Sequence, residues 1–385
     1  MYDFAVVGLG AIGSATAAEL VRRGYSVLGL DRYRPPHTLG SAHSDTRMIR
    51  EAWYEGSLYM PLVQEAYRRW ARLEVSSGRT LVRTTGGLMM GPRDGRVFAG
   101  RPLAEVVRDD SDCISLSAED VADRFPWLRP DPGTITIYEP RAGILGLEAC
   151  LEASLDAAAD ADLHFDEPVA EWSASASGVR IRTDRREYRA RRLAIAAGAW
   201  TPQLVPGLGL PLEVERTVQY WFEPGGVHAD ALAAGPAWVW ELERGGTWYG
   251  FPPTARGLKS GMHFQAGRRT DVDRVDRAVG ASETAALRRI IERYAPDAAG
   301  SLAHASVCLY TNTPDEDFIL DRHPEHPDVV LFAGGSGHAF KFMPVLGALM
   351  ADLLTDEPPS HDLSPFSIGR FRAPIRRAGR ESTGR

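Results

Sequence analysis

The chain has 385 residues, 44% of them hydrophobic and 25% charged, proportions of an ordinary globular protein too long for one growing core, so about two domains are expected. A net charge of −7 excludes the basic footprint of a nucleic-acid binder. Cys113, Cys150 and Cys308 are scattered and odd in number, which excludes a disulfide framework and a paired metal-ligand spacing and fits a reducing cytoplasm.

The chain opens "MYDFAVVGLG", directly into a core strand, leaving no room for a signal peptide, and no apolar run approaches the ~20 residues that cross a bilayer. A soluble, cytoplasmic protein that handles small molecules is the expectation. "YDFAVV" (2–7) predicts a buried strand closed by glycine. "AIGSATAAELVRRGY" follows with helical spacing, Ala15, Ala18 and Leu20 among its small or apolar positions, and Gly24 stops it. "SVLGL" is a second buried strand ending at Asp31, which completes a βαβ unit. "RRLAIAAGAW" (191–200) and "DVVLFAGGSG" (328–337) read as further core strands. Between them "VQYWFEP", "AWVWEL", "TWYGFPP" and "LKSGMHF" are short, aromatic and alternating, as in an antiparallel sheet. Nucleotide-binding features near both ends, with antiparallel features over 213–309, predict two domains interleaved along the chain. "RAPIRRAGRESTGR" is arginine-rich without an apolar pattern, so residues 373–385 read as a disordered tail.

"GLGAIG" places Gly8, Gly10 and Gly13 as G-x-G-x-x-G between strand and helix, with Ala11 and Ile12 inside it. Gly8 permits the tight turn, Gly10 lets a pyrophosphate approach the backbone, and Gly13 allows close helix packing. The helix N-terminus then faces the phosphates with its partial positive charge. Asp31 lies where a carboxylate accepts hydrogen bonds from a ribose diol. The fingerprint predicts a dinucleotide and leaves NAD and FAD both open.

Other stretches are informative on geometry. In a strand, Lys259, Gly261 and His263 share one face. Gly261 then leaves a gap between a cation and an imidazole roughly 13 Å apart, open to a flat ring or a substrate. If "DTRMIREAW" is helical, Arg47 and Arg50 share a face. Trp238, Trp240, Trp248, Tyr249 and Phe251 either wall a roomy cavity or fill the sheet's core. Pro344 suits the first turn of a helix, and the backbone N–H groups of Gly337 and His338 before it are placed to face a cofactor edge. Cys308, in "SVCLYTNTPDEDFIL", is either a space-filling thiol or a reactive one.

"GSAHSDTRMIREAWYEG" (40–56), "CLYTNTPDEDFIL" and "GGSGHAFKF", with "PPHTLGS", "YGFPP", "GLKSGMH" and "LSPF", resemble the monomeric sarcosine oxidase and N-methyltryptophan oxidase family of flavoproteins. The likeness runs from Tyr2 to about Phe371. It implies an α/β (α+β) fold with a Rossmann-like FAD-binding domain (1–80, 145–212, 310–372) interleaved with an antiparallel-sheet substrate domain (81–144, 213–309). It further implies a thioether from Cys308 to FAD, and Arg50 and Lys341 on the substrate carboxylate, a task suited to a planar guanidinium fork. His43 and Arg47 would lie against the flavin ring. Thr46 and the Ser41–Ala42 backbone would contact the phosphates or ribityl chain, with Arg32, Val169, Gly198, Gly335 and Phe340 completing the cofactor set. Lys259 would be the cation at which oxygen is reduced, and His263 and Tyr249 would line the substrate cavity. The chain departs from the family at Ser44, usually Gly, at Glu51, usually His, and in "WYEG" for "YGEG".

The implied activity is FAD-dependent oxidation of a small secondary amino acid, N-methyl or cyclic. A hydride equivalent leaves the carbon next to nitrogen for flavin N5, an imine forms, and O2 becomes hydrogen peroxide. The implied partners are that amino acid and O2, with no nucleic acid and no membrane, in a monomer. A nicotinamide-dependent dehydrogenase and a non-catalytic flavoprotein sensor are the rival readings. The first leaves Cys308 without a role, and the second leaves Lys259, Arg50 and Lys341 without one.

Overall fold

The structure is a computed structural model that describes residues 1–51, 57–92, 95, 112–243, 246–263 and 269–371. The tail expected at 373–385 and the "WYEG" departure lie outside the described residues.

Strand Tyr2–Val7 pairs in parallel with Val27–Leu30 on one side and with Glu187–Ile195 on the other. Asp162–His164 extends the sheet beyond Val27–Leu30, and Val329–Ala333 runs parallel beside the end of Glu187–Ile195. An antiparallel hairpin, Val169–Ser175 with Gly178–Thr183, and strand Ile319–Arg322 complete eight strands. The parallel centre is apolar on both faces, as a sheet covered by helices requires: "VLGL" and "VVLFA" are buried throughout. Helix Ala11–Arg22 ends just before Gly24, which adopts φ +85°, and helix Met343–Thr355 begins with Pro344 in its first turn. These helices cross closely at Gly347, where a Cβ would sit 2.6 Å from the Ala15 Cβ. The fold class expected from the sequence, a Rossmann-like unit combined with a second sheet, is the one observed.

The second sheet also has eight strands, ordered Leu302–Asn312, Glu213–Phe222, Leu258–His263, Thr247–Gly250, Ala237–Glu241, Gly87–Gly91, Ile135–Glu139 and Ile114–Leu116. It is not wholly antiparallel as the alternation suggested. Ala237–Glu241 pairs in parallel with Gly87–Gly91, joining two segments distant in sequence. The pleat also divides the aromatic residues that the sequence left undecided. Trp238, Trp240 and Trp248 point into a buried core with Leu88 and Tyr294, while Val239, Tyr249 and Phe251 face the other way.

A three-stranded sheet, Thr46–Ile49, Gly143–Gly146 and Val82–Thr84, joins the two larger ones. The helix considered for "DTRMIREAW" is therefore a strand here: the ladder to Gly143–Gly146 satisfies its backbone, a partner about a hundred residues away that local pattern cannot reveal. The chain leaves that strand at Arg50.

Candidate active site

A cavity of about 430 Å³ follows the carboxyl ends of the parallel strands, the crevice where open α/β sheets take ligands. Gly8, Gly10, Ala11 and Ile12 form its wall at the first turn. Gly8 has φ +89°, and a Cβ there would lie 2.5 Å from the Ala196 carbonyl oxygen. A Cβ at Gly13 would lie 1.7 Å from the Gly8 oxygen, so Gly13 stays off the wall and brings helix onto strand. A Cβ at Gly10 meets nothing within 4 Å, so that position is open for a ligand's close approach. Asp31 and Arg32 follow. The Asp31 carboxylate accepts the N–H of Leu9 (2.6 Å) and of Tyr33 (2.9 Å). Burial outweighs those two bonds and raises its pKa to about 6. Arg32 lies over Trp200, 5.5 Å from the ring centre, and pairs with Asp273 at 3.4 Å. Ser41, Ala42, Val169 and Gly198 line the same cavity, and Gly335, Gly337 and Phe340 close its far end. These groups fit FAD: a glycine cradle at a helix N-terminus, a carboxylate after the second strand and a long apolar crevice.

Cys308 and Arg47 also reach this cavity. The Cys308 thiol lies 3.7 Å from the Ser41 carbonyl oxygen, and the Arg47 guanidinium stands 4.0 Å from the sulfur. Burial raises the thiol pKa, and the cations of Arg47 and Lys259 act against that rise. Arg47 also donates to the carbonyls of Thr46 and Ser41, each at 2.9 Å. Thr46 and His43 are buried nearby but lie on neither cavity wall. Cys150 is buried and Cys113 partly so, and neither is disulfide-bonded.

A second cavity, of about 90 Å³, shares Arg47, Tyr310, Gly337 and Phe340 with the first. Onto it the fold brings Arg50, Lys259, Lys341, His263 and Tyr249 from four separate segments. The Lys259 Nζ donates to the carbonyls of Ser44 (2.8 Å) and Thr46, and lies 4.4 Å from the centre of the Phe251 ring. Burial, reinforced by Arg47, pushes its pKa well below the usual lysine value, while Asp45 works in the opposite direction. His263 Nδ1 hydrogen-bonds the Tyr310 hydroxyl at 2.9 Å. The Lys341 carbonyl accepts the Trp70 indole N–H at 2.9 Å, fixing its backbone to helix Met60–Ser77.

Two expectations change here, and the departure at Glu51 finds its place. The gap foreseen at Gly261 is filled by Tyr249: a Cβ at Gly261 would lie 2.5 Å from the phenol oxygen, because the two residues are cross-strand partners. The His338 N–H donates to the Gly335 carbonyl (3.0 Å) and closes the turn instead of facing a cofactor edge, while its ring Nε2 bonds the Glu316 carbonyl. The Glu51 carboxylate stays off the cavity walls and pairs with Arg141 at 3.4 Å.

The sequence reading missed Tyr310, Gln219 and Met48 on the smaller cavity and Trp200 on the larger. Tyr310 carried a usable signal, since it lies two residues from Cys308 on one strand and so shares its face. Gln219 carried none, because its place depends on its pairing with Gly261.

The sequence profile of the FAD dependent oxidoreductase family matches residues 3–353. Monomeric sarcosine oxidase of Streptomyces avermitilis is 38% identical, covering 97% of this chain and 98% of that protein. N-methyl-L-tryptophan oxidase of Salmonella heidelberg is 35% identical over 96% of this chain and 99% of its own. Among solved structures, NikD, an unusual amino acid oxidase essential for nikkomycin biosynthesis, superposes with a TM-score of 0.82 at 26% identity, over 95% of this chain and 97% of its own. The choice that the glycine fingerprint left open between NAD and FAD is thereby made for FAD. The chain belongs to the FAD-dependent oxidoreductases and, among them, to the flavin amine oxidases that include monomeric sarcosine oxidase and N-methyl-L-tryptophan oxidase.

Proposed function

We propose that the protein oxidises a small secondary amino acid, N-methylated or cyclic, at the carbon next to nitrogen, with O2 as the acceptor. The observation that carries this is the gathering of Arg50, Lys341 and Lys259 on one small cavity beside the FAD crevice. Arg50 and Lys341 bind the carboxylate and set the amine's orientation, Arg50 through its planar fork. Tyr249, Phe251 and Val239 supply an apolar wall that excludes water. Lys259, held by two carbonyls, keeps a donor fixed where oxygen gains charge. Bound flavin supplies the two-electron acceptor that links substrate to O2. The oxidised substrate leaves as an imine, which water hydrolyses. About 90 Å³ suits a substrate of few heavy atoms better than one carrying an indole ring.

Cys308, bracketed by Arg47 and Lys259, is proposed as the thioether attachment of FAD. Acid precipitation of the pure protein tests this, since a yellow pellet is expected and a white pellet under a yellow supernatant refutes it. We assign residues 1–80, 145–212 and 310–372 to the FAD-binding body and 81–144 and 213–309 to the substrate body. The cysteines without disulfides support a cytoplasmic home, and a monomer is proposed. Among the described residues no helix is long and apolar enough to cross a membrane. A panel of N-methyl and cyclic amino acids, read by peroxide formation and bleaching of the flavin, tests the activity. Bleaching by the small members is expected, and no bleaching by any amine overturns it.

A further inference from the structure

Ser44 and Asp45 are consecutive non-glycine residues with positive φ, 86° and 61°. Their turn is held from several sides. Glu148 Oε1 accepts both backbone N–H groups, at 2.9 and 3.1 Å. The Asp45 carboxylate accepts the Trp221 indole N–H at 2.9 Å and pairs with Arg256 at 3.2 Å. The Ser44 carbonyl receives the Lys259 ammonium. Glycine would relieve the strain of such a backbone, so a side chain at Ser44 calls for a reason.

The Ser44 hydroxyl supplies one, lying within hydrogen-bond distance of His43 Nδ1. Both residues are buried, 2% and 3% exposed, and His43 Nε2 has no partner among the described residues. Two proton arrangements fit the contact. If Nδ1–H donates to Ser44, the hydroxyl proton is buried without an acceptor. If the hydroxyl donates to a bare Nδ1, that proton and that lone pair are both satisfied, and the ring's own proton sits on Nε2. The second arrangement leaves fewer buried groups unsatisfied. We propose that Ser44 is a positioning residue that fixes His43, buried behind the cavity walls, as its Nε2–H tautomer, a neutral imidazole whose ring proton sits on the nitrogen away from Ser44. Burial, with Arg47 and Lys259 alongside, lowers the His43 pKa to about 3, so the ring's variable is its tautomer and not its charge.

The test is nitrogen NMR of the ¹⁵N-histidine-labelled holoenzyme, with His43 assigned by difference against His43→Asn. In the wild type Nδ1 is expected bare and Nε2 protonated. Ser44→Ala removes the hydroxyl alone, whereas Ser44→Gly removes hydroxyl and strain together. Both variants are expected to mix the two tautomers, and Ser44→Gly to do so with an equal or higher Tm, an outcome that separates positioning from structural support. A protonated Nδ1 in the wild type overturns the proposal even if neither variant folds, and so does an unchanged tautomer in both variants.

Discussion

The larger cavity is walled at its first turn by backbone and small residues, Gly8, Gly10 and Ala11, with Gly198 and Gly335 further along, whereas the smaller one presents Arg47, Arg50, Lys259 and Lys341 beside Tyr249 and Phe251. Backbone recognition asks only that nothing protrude and that a helix begin there. Recognition by buried charge asks for acceptors as well, which is why Lys259 sits on two carbonyls. A substitution at the glycine wall therefore acts by adding atoms, and one on the smaller cavity by removing charge.

Four experiments press on that contrast. Lys259→Met should slow reoxidation of the reduced flavin by O2 about 10²–10³-fold, the cost of removing one preorganised donor, measured by stopped flow. A rate within threefold of wild type would take Lys259 out of the oxygen step. Arg50→Ala should raise the substrate KM about 30- to 140-fold, from ~2–3 kcal/mol for a charged hydrogen bond at ~1.4 kcal/mol per tenfold, with the flavin spectrum intact. An unchanged KM would leave the carboxylate without its proposed partner.

Asp31 tests the backbone-walled side. Its folded pKa is raised to about 6 from the ordinary 3.8, so the carboxylate that accepts ribose hydroxyls is lost as pH falls below about 6. In a Cys308→Ala chain the FAD dissociation constant should climb towards about tenfold per pH unit below that point, and Asp31→Asn should flatten the slope. For the chain without FAD the sign reverses, because folding favours the protonated acid. That contribution is complete below 3.8 and gone above about 6. The smallest effect on catalysis is expected from Trp240→Phe, which should lower Tm by a few degrees, for about 1–2 kcal/mol, at an unchanged kcat/KM.

The first region was legible because its parts are neighbours in sequence: Gly8, Gly10, Gly13 and Asp31 lie within one βαβ unit. The second was legible only through resemblance, since Arg50, Lys259 and Lys341 meet across three sheets and their loops. The helix considered for the stretch around Thr46–Ile49 gives way to a strand because its partner strand begins at Gly143, far along the chain. The filling of the space at Gly261 by Tyr249 depends on cross-strand register, which composition does not encode.

The alternation along Ala237–Glu241 and Thr247–Gly250 has a practical side for redesign. Positions 239, 249 and 251 form one alphabet and 238, 240 and 248 another, printed on opposite sides of the same ribbon. A library that varies only the first set can explore new amines while the tryptophan girder behind it stays intact.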